Sequence, residues 1–205
     1  MRMQYIKQSL EKYIEDLGAR LPAPGGGSAS AACGSLGVAL VLMVSNFTLG
    51  NEKYAAYEKE IKKIIAEAEK LKKKLLKFID EDVEAYKKLS AVYKLPKEER
   101  DSTLEAASKE ALAVPLDICR AAHEAMQLVK SLLEKGNRNL ISDVGIAASM
   151  IYSAFESAKM NVDINLKQIR DEEFVNKIDK EIMDMGGEVK RSSSLVIKEV
   201  CDRLK

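Results

Sequence analysis

The chain has 205 residues, enough for one compact domain with a substantial core. Its 33 basic and 32 acidic residues leave a net charge of +1, so no basic excess points to nucleic acid. Aromatics make up 5%, tryptophan is absent and only four prolines occur, a composition that favours helix over sheet.

An amphipathic helix is predicted over roughly 3–17, ending near Gly18, with Pro22 and Pro24 enforcing an extended link. This stretch lacks the apolar core of a signal peptide, so a cytoplasmic location is expected. A second helix is predicted from about Gly26 to about Leu49. No charge occurs between Arg20 and Glu52, although the whole chain is 32% charged. The uncharged length would permit a membrane span. Glycines, serines and Asn46 interrupt it, however, and only ALVLMV is strongly apolar. A helix buried on all sides in a bundle explains it better, and no membrane partner is expected.

The third helix is predicted over roughly 52–93, stopping before Pro96. Its stretch IKKIIAEAEKLKKKLLKFIDE alternates apolar and charged residues at helical spacing and reads as a solvated face. The fourth covers roughly 98–134, with Gly136 as terminator and a kink or break expected at Pro115. The fifth starts at Ser142 or Asp143, both good cap residues, and runs to about Ile169. The sixth covers roughly 171–203 and is expected to loosen at Gly186 and Gly187. Short connections imply antiparallel neighbours. The expectation is one all-α domain over 1–205, a bundle of about six long, mostly antiparallel helices.

Cys33, Cys119 and Cys201 are far apart and odd in number, which fits a reducing compartment rather than a disulfide framework or a zinc site. His123 is the only histidine and shares a helical stripe with Leu112, Leu116, Cys119 and Met126, so it reads as a core histidine. With one histidine and no paired cysteines, no metal is expected.

Gly25, Gly26 and Gly27 open the most apolar helix, at a cost of roughly 1 kcal/mol per helical glycine. Two readings stand. The run is a plain turn that exploits glycine's freedom of φ and ψ, or it leaves bare backbone N–H groups at a helix start for a ligand. Further along, Ala31, Gly34, Ser35, Val38 and Leu42 recur at helical spacing. Such small residues permit close helix approach, within the subunit or across a dimer.

On a helix with Ile79 at 0°, Leu75 and Tyr93 fall near about 320°, Tyr86 near about 340° and Val83 near about 40°. Asp80, Glu81 and Glu84 fall on the other side, at about 100°, 200° and 140°. Asp82 falls at about 300°, inside the apolar stripe. Burial there would raise its pKa toward the range general acid–base chemistry needs; a structural aspartate satisfied by a nearby donor is the competing reading. Asn161 and Asn165 stand four residues apart on one helix face, suited to a heterocycle edge or to tying helices together. Asn137, Ser142 and Asp143 cluster in KGNRNLISDVG as site residues or helix caps.

The motifs PAPGGGSASAACGSLGVALVLMV, IDEDVEAYKKL, LPKEER, SDVGIAAS and NVDIN, in this order, resemble the cyclodeaminase/cyclohydrolase family of folate enzymes. That family includes the C-terminal domain of formiminotransferase-cyclodeaminase, which also occurs as a stand-alone protein. The resemblance implies an all-helical homodimer acting on a reduced folate without metal or nucleotide cofactor. It implies closure of 5-formimino-tetrahydrofolate to 5,10-methenyl-tetrahydrofolate with release of ammonia, or hydrolysis of the methenyl compound to 10-formyl-tetrahydrofolate. It places the family's proton acceptor at Asp82. With the chemistry, it makes Gly25, Gly26, Gly27, Ser28, Asn137, Ser142, Asp143, Asn161 and Asn165 candidate substrate contacts. Lys97 and Arg100 would face a glutamate tail or only solvent. The formimino substrate would come from a separate formiminotransferase. A non-catalytic helical folate-binding or assembly protein is the reading from another class.

Overall fold

A computed structural model describes residues 4–205. Six α-helices hold most of them: α1 (Leu10–Gly18), α2 (Gly26–Thr48), α3 (Glu58–Val92), α4 (Lys97–Lys135), α5 (Ile141–Leu166) and α6 (Glu172–Arg203). No strand occurs among the described residues.

The uncharged α2 packs on α3, α4 and α5, and α5 in turn packs on α4 and α6. By length and composition α2 could cross a membrane, yet most of it is buried inside the bundle. Val38, Val41 and Val44 are at most 1% exposed. The small-residue stripe serves contacts within the subunit, because Ala31, Gly34, Ser35, Val38 and Leu42 are all buried there. A Cβ on Gly34 would lie 3.3 Å from Ala154 Cβ and from Leu75 Cδ2. At Gly37 it would lie 2.8 Å from Ile151 Cγ1, so glycine sets how closely α2 and α5 approach.

These contacts also fix direction. Gly26, Gly34 and Gly37 of α2 face Asn161, Ala154 and Ile151 of α5, so the two run antiparallel. Ser28 bonds Ile79 and Asp82 while Gly34 meets Leu75, so α3 is antiparallel to α2 as well.

Several boundaries differ from the sequence pattern. Position 3 of the first predicted helix lies outside the described residues. Among those described, that helix is broken: Tyr5–Lys7 form a 3-10 turn, and α1 restarts at Leu10 with the Ser9 hydroxyl accepting from Lys12 N. Tertiary contacts cause the break. Tyr5 N donates to Asp80 Oδ1 at 2.6 Å, its hydroxyl meets Asp16 Oδ2, and its ring packs edge-on against Tyr13 at 5.5 Å. The third predicted helix begins as a 3-10 turn over Glu52–Tyr57, capped by the Asn51 side chain.

The expected break at Pro115 does not occur; α4 runs through it with the proline buried. Packing against α2, α3, α5 and α6 outweighs the lost backbone bond. Ser142 and Asp143 are not caps, since α5 already begins at Ile141 after a 3-10 turn whose cap is Asn137, accepting from Asn139 N. Nor does α6 loosen at its glycine pair. Gly186 lies against Phe155, where a Cβ would approach Cε1 to 3.1 Å, so the glycine admits a fully buried ring. His123 is not a core residue either: it is partly exposed and its Nε2 lies 2.8 Å from Glu188 Oε2, linking α4 to α6.

Candidate active site

The start of α2 has ordinary backbone geometry. Gly25, its N-cap, is extended at φ −135° and ψ −161°, and Gly50 is the one glycine with positive φ among the described residues. Freedom of φ therefore does not explain the glycine run. Close approach does. A Cβ on Gly27 would fall 2.0 Å from Asp82 Oδ1 and 2.6 Å from Asp82 Cγ. The aspartate carboxylate occupies the space of the missing side chain.

Asp82 reaches this place from α3, whose Leu75, Ile79 and Val83 are buried. Its Oδ2 accepts from Ser28 N at 2.8 Å. Ser28 stands three residues after the Gly25 N-cap, so its N–H is one of the orphan donors of the α2 start. Asp82 thus caps α2 from another helix, where Gly25 has no side chain to do so. Burial pushes the Asp82 carboxyl above the ordinary carboxylate value, and the Ser28 N–H pulls it back only in part. The donor-satisfied aspartate and the raised-pKa aspartate are therefore one and the same residue.

Ser28 holds α3 at a second point. Its hydroxyl donates to Ile79 O at 2.9 Å and lies 3.1 Å from Tyr13 Oη. With the Ser28 proton directed at Ile79, the Tyr13 hydroxyl is the donor of the second bond. Ser28 is fully buried and both its polar groups are engaged inside the protein, so it positions Asp82 rather than facing solvent. Sequence reasoning missed Tyr13, because the amphipathic pattern of the N-terminal stretch gives no hint of a polar partner 15 residues on.

Asn161 stands on the other side of the glycine start, with Nδ2 3.6 Å from where a Gly26 Cβ would be. The two asparagines do not tie helices together. Asn161 Nδ2 donates to Ser157 O and Asn165 Nδ2 to Asn161 O, each within α5. Gly26 is exposed and Gly25 has open space around its Cα. Bare backbone at the start of α2 is therefore flanked by Asp82 on α3 and Asn161 on α5.

Asn137, Ser142 and Asp143 lie elsewhere. Asn137 Nδ2 donates to Phe47 O and its backbone N to Thr48 Oγ1, at the far end of α2. Nineteen residues of α5 separate Ser142 from Asn161, about 28 Å along the axis. Within one subunit these three do not share a site with Asp82. Lys97 is exposed and Arg100 partly so, its Nε 3.8 Å from Asp101 Oδ1. Among the described residues no three His, Cys, Asp or Glu side chains gather as a metal-binding group.

A groove of about 890 Å³ lies between α3 and α4 and is lined by Asp80, Glu84 and Lys88 but not by Asp82. The wheel placed Asp80 toward solvent; in the structure it bonds Tyr5 and its Oδ2 is buried without a partner among the described residues.

A family model described as Formiminotransferase-cyclodeaminase matches residues 9–184. The chain belongs to this family. It is 38% identical to a methenyltetrahydrofolate cyclohydrolase of Methylorubrum extorquens, over 85% of this chain and 87% of that protein. It is 32% identical to the formimidoyltransferase-cyclodeaminase of Rattus norvegicus over 94% of its own length but only 37% of that protein's. A crystal structure of a formiminotetrahydrofolate cyclodeaminase from Thermotoga maritima superposes with a TM-score of 0.82 at 32% identity, covering 97% of this chain and 96% of that one. The chain is thus all-helical like its solved relative and spans about a third of the length of the formimidoyltransferase-cyclodeaminases it matches, and its relatives are named for folate-processing activities.

Proposed function

We propose that the protein is a cyclodeaminase that closes 5-formimino-tetrahydrofolate to 5,10-methenyl-tetrahydrofolate and releases ammonia. The observation that carries this reading is Asp82, a half-buried carboxyl of raised pKa set against bare backbone at the start of α2. In the reaction N10 attacks the carbon of the protonated formimino group on N5, forming the new N10–C bond and leaving a neutral amine on that carbon. Asp82 takes the proton that N10 sheds. It then gives that proton to the amine on the same carbon, the C–N bond breaks and ammonia departs, leaving the methenyl cation. A carboxyl with its pKa raised toward neutrality serves both steps. Gly25, Gly26 and the Asn161 amide beside them, with Asn165 one turn further along α5, would bind the folate.

The relative at 38% identity favours a second reading, methenyltetrahydrofolate cyclohydrolase. There Asp82 would take a proton from water as it adds to the methenyl carbon, and return it to N5 as the C–N5 bond breaks and the new hydroxyl loses its proton to solvent, leaving 10-formyl-tetrahydrofolate.

We further infer that the protein is a homodimer in the cytoplasm, supplied by a separate formiminotransferase. Leu36 and Phe47 on α2 and Ile146, Met160 and Ile164 on α5 are at least 50% exposed, an apolar face on two neighbouring helices that a second copy would cover.

The test mixes purified protein with 5-formimino-tetrahydrofolate and follows methenyl-tetrahydrofolate absorbance together with ammonia. Growth of both, abolished in Asp82→Asn, is the expected result. Decay of supplied methenyl-tetrahydrofolate without cyclodeamination would transfer the assignment to the cyclohydrolase. Inertness toward both substrates would leave a non-catalytic folate-binding protein.

A further inference from the structure

Helix α3 is antiparallel to α2 and outruns it. Asp82 sits beside Gly27, in the first turn of α2, while α3 continues to Val92. Beyond Asp82 the face of α3 that packs on α2 therefore loses that partner. The stripe records the change: Ile79 and Val83 are 7% and 4% exposed, whereas Tyr86 and Tyr93 are 46% and 47% exposed. Leu89 stays buried, so α3 is still held in place there.

Tyr86 is four residues after Asp82, on the same helix face, with Cβ atoms roughly 5–6 Å apart. An exposed tyrosine one turn from a half-buried carboxyl is a flat, amphipathic surface beside the reacting group. At the glycine start opposite, the space beside Gly25 is open and Gly26 has only the Asn161 amide close by. We propose that Tyr86 is the wall on which the bicyclic pterin of the substrate stacks, presenting the N5 edge to Asp82. This rests on the folate reading above and adds a residue that fixes substrate orientation. Tyr93 lies eleven residues from Asp82, about 16 Å along the helix, too far to serve the same ring.

The experiment measures the Kd of 5-formyl-tetrahydrofolate, a stable folate, by calorimetry for the parent, Tyr86→Phe and Tyr86→Ala, and then KM and kcat on 5-formimino-tetrahydrofolate. Stacking needs the ring and not the hydroxyl. Tyr86→Phe is therefore expected within about twofold of the parent, while Tyr86→Ala raises Kd and KM about tenfold or more, with kcat changed far less. A parent-like Kd in Tyr86→Ala, or an equal loss in Tyr86→Phe, overturns the proposal. If Asp82→Asn keeps parent turnover, the catalytic assignment fails while the Kd series still decides Tyr86. If the parent binds no folate at all, both fall together.

Discussion

Replacing Gly27 by alanine separates catalysis from folding. The new Cβ would stand 2.0 Å from Asp82 Oδ1 and 2.9 Å from Oδ2. Non-bonded carbon and oxygen atoms do not approach within about 3 Å, so the carboxylate must retreat by about 1 Å or more. It is the end of a flexible side chain and can swing away without moving a helix. In doing so it lengthens the 2.8 Å bond from Ser28 N beyond hydrogen-bond range. Loss of a bond to a charged acceptor costs roughly 1.5–3 kcal/mol, and the better helix propensity of alanine returns up to about 1 kcal/mol. The net loss of about 0.5–2 kcal/mol lowers Tm by only about 1–8 °C in a chain of this size. A reacting group misplaced by about 1 Å costs on the order of 100-fold in rate. The assay pairs thermal unfolding with steady-state formation of methenyl-tetrahydrofolate. Gly34→Ala, two turns along the same helix and crowding Ala154 and Leu75, is the control; it shifts stability without changing turnover per folded molecule. Parent-like turnover in Gly27→Ala would refute the placement of Asp82 or its catalytic role.

Asp82 also links stability to pH. Its folded-state pKa is raised by burial, so its stabilising contribution is full below the unfolded value and is lost as pH rises through the folded value. Asp82→Asn cannot ionise, and its amide oxygen accepts the same Ser28 N–H. It is expected to resist urea better than the parent at about pH 8, by about 1.4 kcal/mol per unit of raised pKa, with the gap closing near pH 4. A gap that widens in acid would show that the pKa is lowered instead. For the apolar face, Leu36→Lys with Phe47→Lys is expected to convert a dimer to a monomer by light scattering with the helical CD signal unchanged. A parent that is already monomeric would remove the argument for that interface.

The helix inventory was legible because it rests on periodicity and on strong local punctuation. The uncharged run gave α2, Gly136 ended α4, and Asp171 caps α6 by accepting from Phe174 N. What local pattern misjudged was settled by partners far along the chain. Pro115 lies in a helix packed on four others, the N-terminal turn is held by Asp80, and Gly186 of α6 lies against Phe155. The wheel found Asp82 because a carboxylate inside an apolar stripe is anomalous in one dimension. It equally counted Tyr86 and Tyr93 as buried, since periodicity on α3 holds no information about where α2 begins. Asn137, Ser142 and Asp143 looked like companions of Asp82 because polar residues in apolar company share a signature, whether they bind a ligand or brace a helix end. Only the antiparallel course of α2 and α5 separates them.

The three glycines then divide one task. Gly25 caps without a side chain, so the orphan N–H of Ser28 is left for a carboxylate from α3. Gly27 gives up its side-chain space to that carboxylate, and Gly26 leaves the approach open beside Asn161. Two opposed forces meet at Asp82. The helix start and its N–H favour the anion, and burial favours the neutral acid. A lone buried carboxyl would stay protonated and make a poor base. A carboxyl capping a helix in water would stay ionised and make a poor acid. Setting Asp82 at a partly buried helix start balances the two, with burial ahead, and a group so balanced can both take a proton and give it back within one turnover.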